Sequence, residues 1–242
     1  MIESATGLIL RTRPLTETSL IVHWLTPNFG RIATVAKGAH RPKSPFLGKL
    51  DLFYLADFTF SRSRRSDLHT LREVSLRETH SALRRDVLLL HQAAYATAFV
   101  ELATETETPL FAVYDLTLGF IRHLCDRPAT PQTVFAFEFK LLHELGLKPN
   151  LEKTKLSPGA KKIIQVLVQR HWPACARLKL TDAQIVELRE FLHDFLIFHL
   201  GRSPKGRVKA LLNENQTTPG MKWLSEKTSL SYTPAAALRS GK

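Results

Sequence analysis

A chain of 242 residues can bury a full core and divide into two domains, and 44% hydrophobic with 23% charged residues excludes a globally disordered polymer. Thirty-four Lys and Arg against 22 Asp and Glu leave a net charge of +12, which favours a polyanionic partner, although a ribosomal or membrane-surface protein would satisfy the charge equally well. The two cysteines, Cys125 and Cys175, are far apart and outside any CxxC spacing, which excludes a disulfide framework and a four-thiolate zinc site.

The opening MIESATGLILRTRP carries an acid at Glu3 and no basic n-region, and no run of about 18 apolar residues follows anywhere. A cytoplasmic, nucleoid-associated protein with no membrane partner is expected. Residues 6–13, 19–26, 30–37, 50–60 and 68–76 are short, β-branched or aromatic stretches with period-2 alternation, and predict five strands. Pro27 and Gly30 mark a tight turn joining the second and third into a hairpin. Five short strands in succession predict a small OB-type barrel, which removes its own edges by closure and leaves loops framing one face.

From about residue 80 the period becomes helical. Leu83, Val87, Leu90, Ala94 and Ala98 form one predicted face of a long helix, with Thr79 or Ser81 as N-cap, ending near Thr108 and Pro109. Further helices are predicted over 110–126, from Pro131 to Gly146, from Ser157 and Pro158 onward, and from Thr181 and Asp182 onward. The fold class is therefore α+β: a barrel domain over 1–79, a helical domain over 80–212, and a basic tail over 213–242 expected to be mostly mobile. Net charges of about +7 for 1–85, −1 for 86–201 and +6 for 202–242 point to discrete contact surfaces.

No Walker loop, GxSxG, HExxH or paired zinc ligands occur, so no catalytic residue, cofactor or metal is assigned. The stronger signal is cationic. Arg31, Lys37, Arg41, Lys43 and Lys49, with Arg62, Arg64 and Arg65 of the next hairpin, are expected near one edge of the barrel as nucleic-acid contacts, with Trp24, Phe29, Phe46 and Tyr54 as candidate stacking platforms.

The segment GLILRTRPLTETSLIVHWLTPNFGRIATVAKGAHRPKS (7–44) resembles the opening of bacterial RecO proteins, and FEFKLLHELGLKPNL (137–151) and LSPGA (156–160) resemble motifs of that family's helical domain. The resemblance implies binding and annealing of single- and double-stranded DNA, recombinase loading with RecR, and docking of the acidic C-terminal tail of single-stranded DNA-binding protein on the helices. For that tail, Phe135, Phe139 and Leu142 are the expected apolar stripe, rimmed by Lys140, Lys161, Lys162 and Arg170. Many family members carry a four-cysteine zinc module before LSPGA; here only residues 150–155 separate the motifs, so no zinc is expected. A nuclease, with Asp51, Asp57 and Asp67 as its candidate carboxylates, and an RNA-binding OB protein are the alternatives.

Overall fold

The computed structural model describes residues 1–212, and the tail expected from 213 lies outside them. Strands β1 (Ile2–Pro14), β2 (Leu20–Thr26), β3 (Gly30–Ala36), β4 (Leu55–Ser61) and β5 (Leu68–Glu78) close into a barrel in the order β1-β2-β3-β5-β4. Every ladder is antiparallel except β3 with β5. The long β1 serves two neighbours: Ile2 to Leu8 pairs with β4, and Leu8 to Pro14 with β2. A register shift between Ile9 and Arg11 marks where it turns the corner, because an extra residue bends a strand and increases its twist. The α+β architecture, an OB-type barrel followed by helices, is thus the one expected.

The fourth strand begins later than the sequence predicts. Phe53 sits at φ 66°, so the chain turns at residues 50–54 and enters β4 only at Leu55. Inside the barrel, Ile9, Val22, Ile32, Phe60, Leu71 and Val74 surround Trp24, which stacks on Phe58 with centroids 4.1 Å apart and donates from Nε1 to Thr34 Oγ1 at 2.8 Å. Trp24 is fully buried and Phe46 is 6% exposed, so two of the four candidate platforms are core instead. A large aromatic with its N–H satisfied is the most economical filling for so small a barrel.

Helices follow: α1 (Val87–Ala103), α2 (Phe111–Asp126), α3 (Pro131–Glu144), α4 (Pro158–Gln169), α5 (Trp172–Ala176), α6 (Asp182–Leu200) and α7 (Arg207–Ala210). Ser157 caps α4 through its side chain, and Thr181 with Gln184 forms a capping box on α6. For α1 the expectation fails twice. Residues Ser81–Arg85 form a separate 3-10 turn, and the cap is Asp86, whose carboxylate accepts from Leu88 N at 2.8 Å. The predicted face is also only partly right, since Leu83 is fully buried and Leu90 and Ala98 half-buried but Val87 is 56% exposed and Ala94 is exposed, while Leu88, Leu89, Ala93, Tyr95, Ala96, Phe99 and Val100 are buried. This helix packs against β1, α2, α3 and α7 together and is apolar nearly all round, so periodicity cannot select a face.

Leu8, Leu10 and Leu25 point out of the barrel and join Phe53 and Leu55 in the helical core, which makes the two parts one packed body. The far end is secured by charge. Arg207 of α7 grips Glu138 of α3 bidentately at 2.6 and 3.1 Å, and Tyr95 of α1 donates to the same carboxylate. Burial pushes the Tyr95 phenol pKa well up, and the Glu138 charge pushes it further.

Candidate nucleic-acid interface

The cations expected at one edge of the barrel fall into separate groups. Because β3 and β5 run parallel, the segment leaving β3 and the segment entering β5 lie at opposite ends of that strand pair. Lys37, with Arg41 and Lys43 in the loop that follows, therefore stands at one end of β3 and Arg62, Arg64 and Arg65 at the other, while Lys49 lies further along that loop on another face. This corrects the single-edge expectation, which counted loops without the strand direction between them.

Two of the eight are committed elsewhere. Arg31 donates from Nε to Thr104 Oγ1 at 2.8 Å and from Nη2 to the Thr104 carbonyl, while its own carbonyl accepts from Glu107 N at 2.8 Å. It is a joint between β3 and the end of α1. Burial opposes its charge and lowers its pKa, partly offset by Glu101. Arg62 bridges Glu3 and Glu107, both at 2.8 Å, and lies over the Phe29 ring. Tyr54, the last candidate platform, is partly buried beneath Arg84.

Lys49 lines a different, open cleft of about 670 Å³ on the outer face of β1, β4 and β5, beside Thr6, Asp57, Thr59 and Arg72. Arg64 and Arg65 are exposed at the β4–β5 turn, and Lys37, Arg41 and Lys43 are exposed after β3. Among the described residues none of these five has a carboxylate within 4.0 Å.

Sequence reading missed the residues that connect the β3-end cations to the strands. Pro14, Leu20 and Ala36 are aligned across β1, β2 and β3, so Arg13 and Lys37 emerge at the same end of the sheet. The His40 N–H binds the Thr18 carbonyl at 3.0 Å and holds the basic loop against the β1–β2 turn. Within the loop Gly38 adopts φ 68°, and the Arg41 side chain folds over it, 3.3 Å from where a Cβ would stand. Alternation sends Val22 and Trp24 inward, hence Ile21 and His23 outward, paired with Arg13 and Arg11. The signal was present in LRTR followed by IVHW, had the alternation been carried beyond the choice of strands.

His23 is half-buried with Arg11, Arg13 and Arg31 around it. Burial first, then those three charges, depress its pKa to about 4, so it is neutral at pH 7. A cleft of about 240 Å³ beside it is lined by Arg11, His23, Arg31 and Ala33 of the barrel and by Asp67, Thr106 and Glu107. Arg11 and Arg13 beside a neutral imidazole, continued by Lys37 and Arg41, make a cationic track across the β1–β2–β3 face, with the committed Arg31 adding its charge behind it. Such a surface holds phosphates electrostatically without reading bases.

The expected apolar stripe on the helices is not a surface. Phe135 and Leu142 are fully buried and Phe139 is 2% exposed, because α3 is enclosed by its neighbours. Lys140 donates to the Val168 carbonyl at 2.7 Å and lies over the Trp172 ring, and its pKa is lowered by burial. Lys162 and Arg170 are exposed and Lys161 is half-exposed. Cys175 is buried and Cys125 half-buried, and burial raises both thiol pKa values, the opposite of an activated thiolate. Asp51 pairs with Arg84 and Asp57 with Arg77, while Asp67 lines the junction cleft, so these three carboxylates do not converge. Among the described residues no helix is long and apolar enough to cross a membrane.

Residues 1–80 match the family model described as "Recombination protein O N terminal", and residues 84–154 match the one described as "Recombination protein O C terminal". A protein named DNA repair protein RecO from Exiguobacterium sibiricum is 29% identical over 223 residues, spanning 88% of each chain. One of the same name from Listeria monocytogenes is 29% identical over 205 residues, 83% of this chain and 79% of its own. Another from Rhodopirellula baltica is 33% identical over 147 residues, 61% of this chain and 54% of its own.

Proposed function

The chain belongs to the RecO family of DNA repair proteins, and from that premise we propose that it is a non-enzymatic recombination mediator that binds and anneals DNA through the β1–β2–β3 face of its barrel. The observation that carries this reading is the placement of Arg13, Lys37 and Arg41, exposed and without an ion pair among the described residues, at the same end of the β1–β2–β3 sheet, with Lys43 beyond them and the Glu101-paired Arg11 beside them, on a barrel type that commonly binds single strands. Strand annealing needs contacts that ignore base identity, and cations on phosphate supply them.

The partners belonging to that role are RecR and the acidic C-terminal tail of single-stranded DNA-binding protein. With Phe135, Phe139 and Leu142 in the core, Lys161 and Lys162 on α4 and Arg170 at its C-cap are the cations left to meet such a tail. Their contribution would be to association rate and salt sensitivity.

The test is DNA binding by the triple variant Arg13→Ala, Lys37→Ala, Arg41→Ala. Three lost phosphate contacts reduce the slope of log K against log salt by about 2 on single strands, and annealing of complementary strands coated with single-stranded DNA-binding protein slows in parallel. An unchanged slope in a folded variant rejects the face.

A further inference from the structure

At the edge of the cationic track stands one carboxylate from the helical part. Glu101, in the last turn of α1, accepts from Arg11 Nε at 3.2 Å and lies 3.9 Å from His23 Nδ1. Its charge is also felt at Arg31. The Glu101 side chain is 20% exposed and that of Arg11 49%, so the pair is reachable from solvent.

Little in the packing requires this contact. An ion pair at such exposure contributes little to stability, and α1 is already held to β1 by Leu8 and Leu10 in the shared core. The electrostatic effect on the face is larger. Arg11, Arg13 and Arg31 surround a neutral His23, and among the described residues Glu101 is the carboxylate ion-paired with one of them, whereas Glu107 in the same cleft is held by Arg62. Carboxylate and phosphate present the same kind of acceptor oxygens to a guanidinium fork, so each satisfies Arg11 in place of the other.

We propose that Glu101 is a built-in competitor for nucleic-acid phosphate: it holds Arg11 in the free protein and gives it up when a strand crosses the barrel face. The helical part thereby sets the affinity of the barrel through one side chain. The inference rests on the β1–β2–β3 face being the DNA site. Its consequence is moderated binding, which suits a protein that must release strands after pairing them.

The variant Glu101→Gln keeps the shape and removes the charge. Binding of a fluorescent oligothymidylate, followed by anisotropy across a salt series, should tighten several-fold at low salt. Its slope should steepen by about 0.7, the value of one added phosphate contact on a single strand. In an Arg11→Ala background the same substitution should gain much less, because the contact it releases is gone. Glu105→Gln, an equal charge change just beyond α1 at an exposed carboxylate with no ion pair among the described residues, supplies the control for through-space charge and should leave the slope alone. Glu101→Gln with an unchanged slope, or with a gain undiminished in the Arg11→Ala background, overturns the proposal. If the Arg13, Lys37, Arg41 triple variant binds DNA normally, the face itself is wrong; if it binds weakly while Glu101→Gln is silent, only the competitor role fails. Thermal melting of each variant separates these outcomes from loss of fold.

Discussion

The barrel and the helical part use charge in opposite ways. On the barrel, Arg13, Lys37, Arg41 and Lys43 stand open to solvent with no carboxylate at hand, and their charge is available to a partner. In the helices the best-formed cationic contact, Arg207 with Glu138, is inward and spent on architecture. A net charge counted along a sequence does not separate these uses. Arg31 and Arg62, in the middle of the basic half, behave like the helical arginines, because each meets the α1–α2 connection at Thr104 or Glu107.

The largest effect that would break this contrast comes from Arg207. Removing one partner of a buried pair strands the other charge in a low-dielectric interior and costs about 3–5 kcal/mol. Arg207→Ala should therefore lower the melting temperature by roughly 10 °C for a chain of this size. Single-strand affinity per folded molecule should stay as it was. A variant that melts normally but loses DNA binding would place Arg207 with the barrel cations.

Arg31→Ala sharpens the comparison inside the barrel itself. Loss of its hydrogen bonds to Thr104 should cost about 1–3 kcal/mol, read by chemical denaturation. The salt slope for single-strand binding should barely move, whereas Lys37→Ala should do the reverse: no change in stability and a shallower slope.

Acid provides a third contrast. His23 takes up its proton only near pH 4 in the folded protein but near 6.5 when unfolded. Between those values the unfolded chain binds more protons, so stability falls as pH is lowered from about 6.5 to 4. His91 and His123 are also lowered, by burial first, and act in the same sense. Asp57 and Glu78, whose pKa values lie below normal, lose their contribution only at lower pH still. His23→Gln should flatten the melting-temperature profile in that window; an unaltered profile would show that burial and the neighbouring arginines do not depress this imidazole.

How much was legible follows from the same physics. The strands could be read because their alternation is local and each is short, and closure was expected from the barrel type; the order 1-2-3-5-4 and the parallel β3–β5 ladder were not read, because pairing between distant segments leaves no local pattern. The site was only half legible. The loop cations Lys37, Arg41 and Lys43 announce themselves by composition, while Arg11, Arg13 and His23 become a group only through pairing across β1 and β2. Phe135, Phe139 and Leu142 show the converse error, since an apolar stripe on a helix buried on most sides is core before it is a docking groove.

The start of α1 gives the smallest and cleanest test. From sequence, Thr79 and Ser81 are the natural caps, being hydroxyl residues just before an apolar run. Here residues 81–85 make a 3-10 turn closed by the Leu83 N–H on the His80 carbonyl, and α1 starts afresh at Val87. The Asp86 carboxylate then meets the Leu88 N–H at 2.8 Å and sits where a negative charge favours the helix dipole. Asp86→Ala should cost about 1 kcal/mol, as loss of a capping side chain does. Ser81→Ala, exposed and with no cap to lose, should change stability by less than about 0.5 kcal/mol. Should Ser81→Ala prove the costlier of the two in urea denaturation, the helix would begin where the hydroxyl residues said it did.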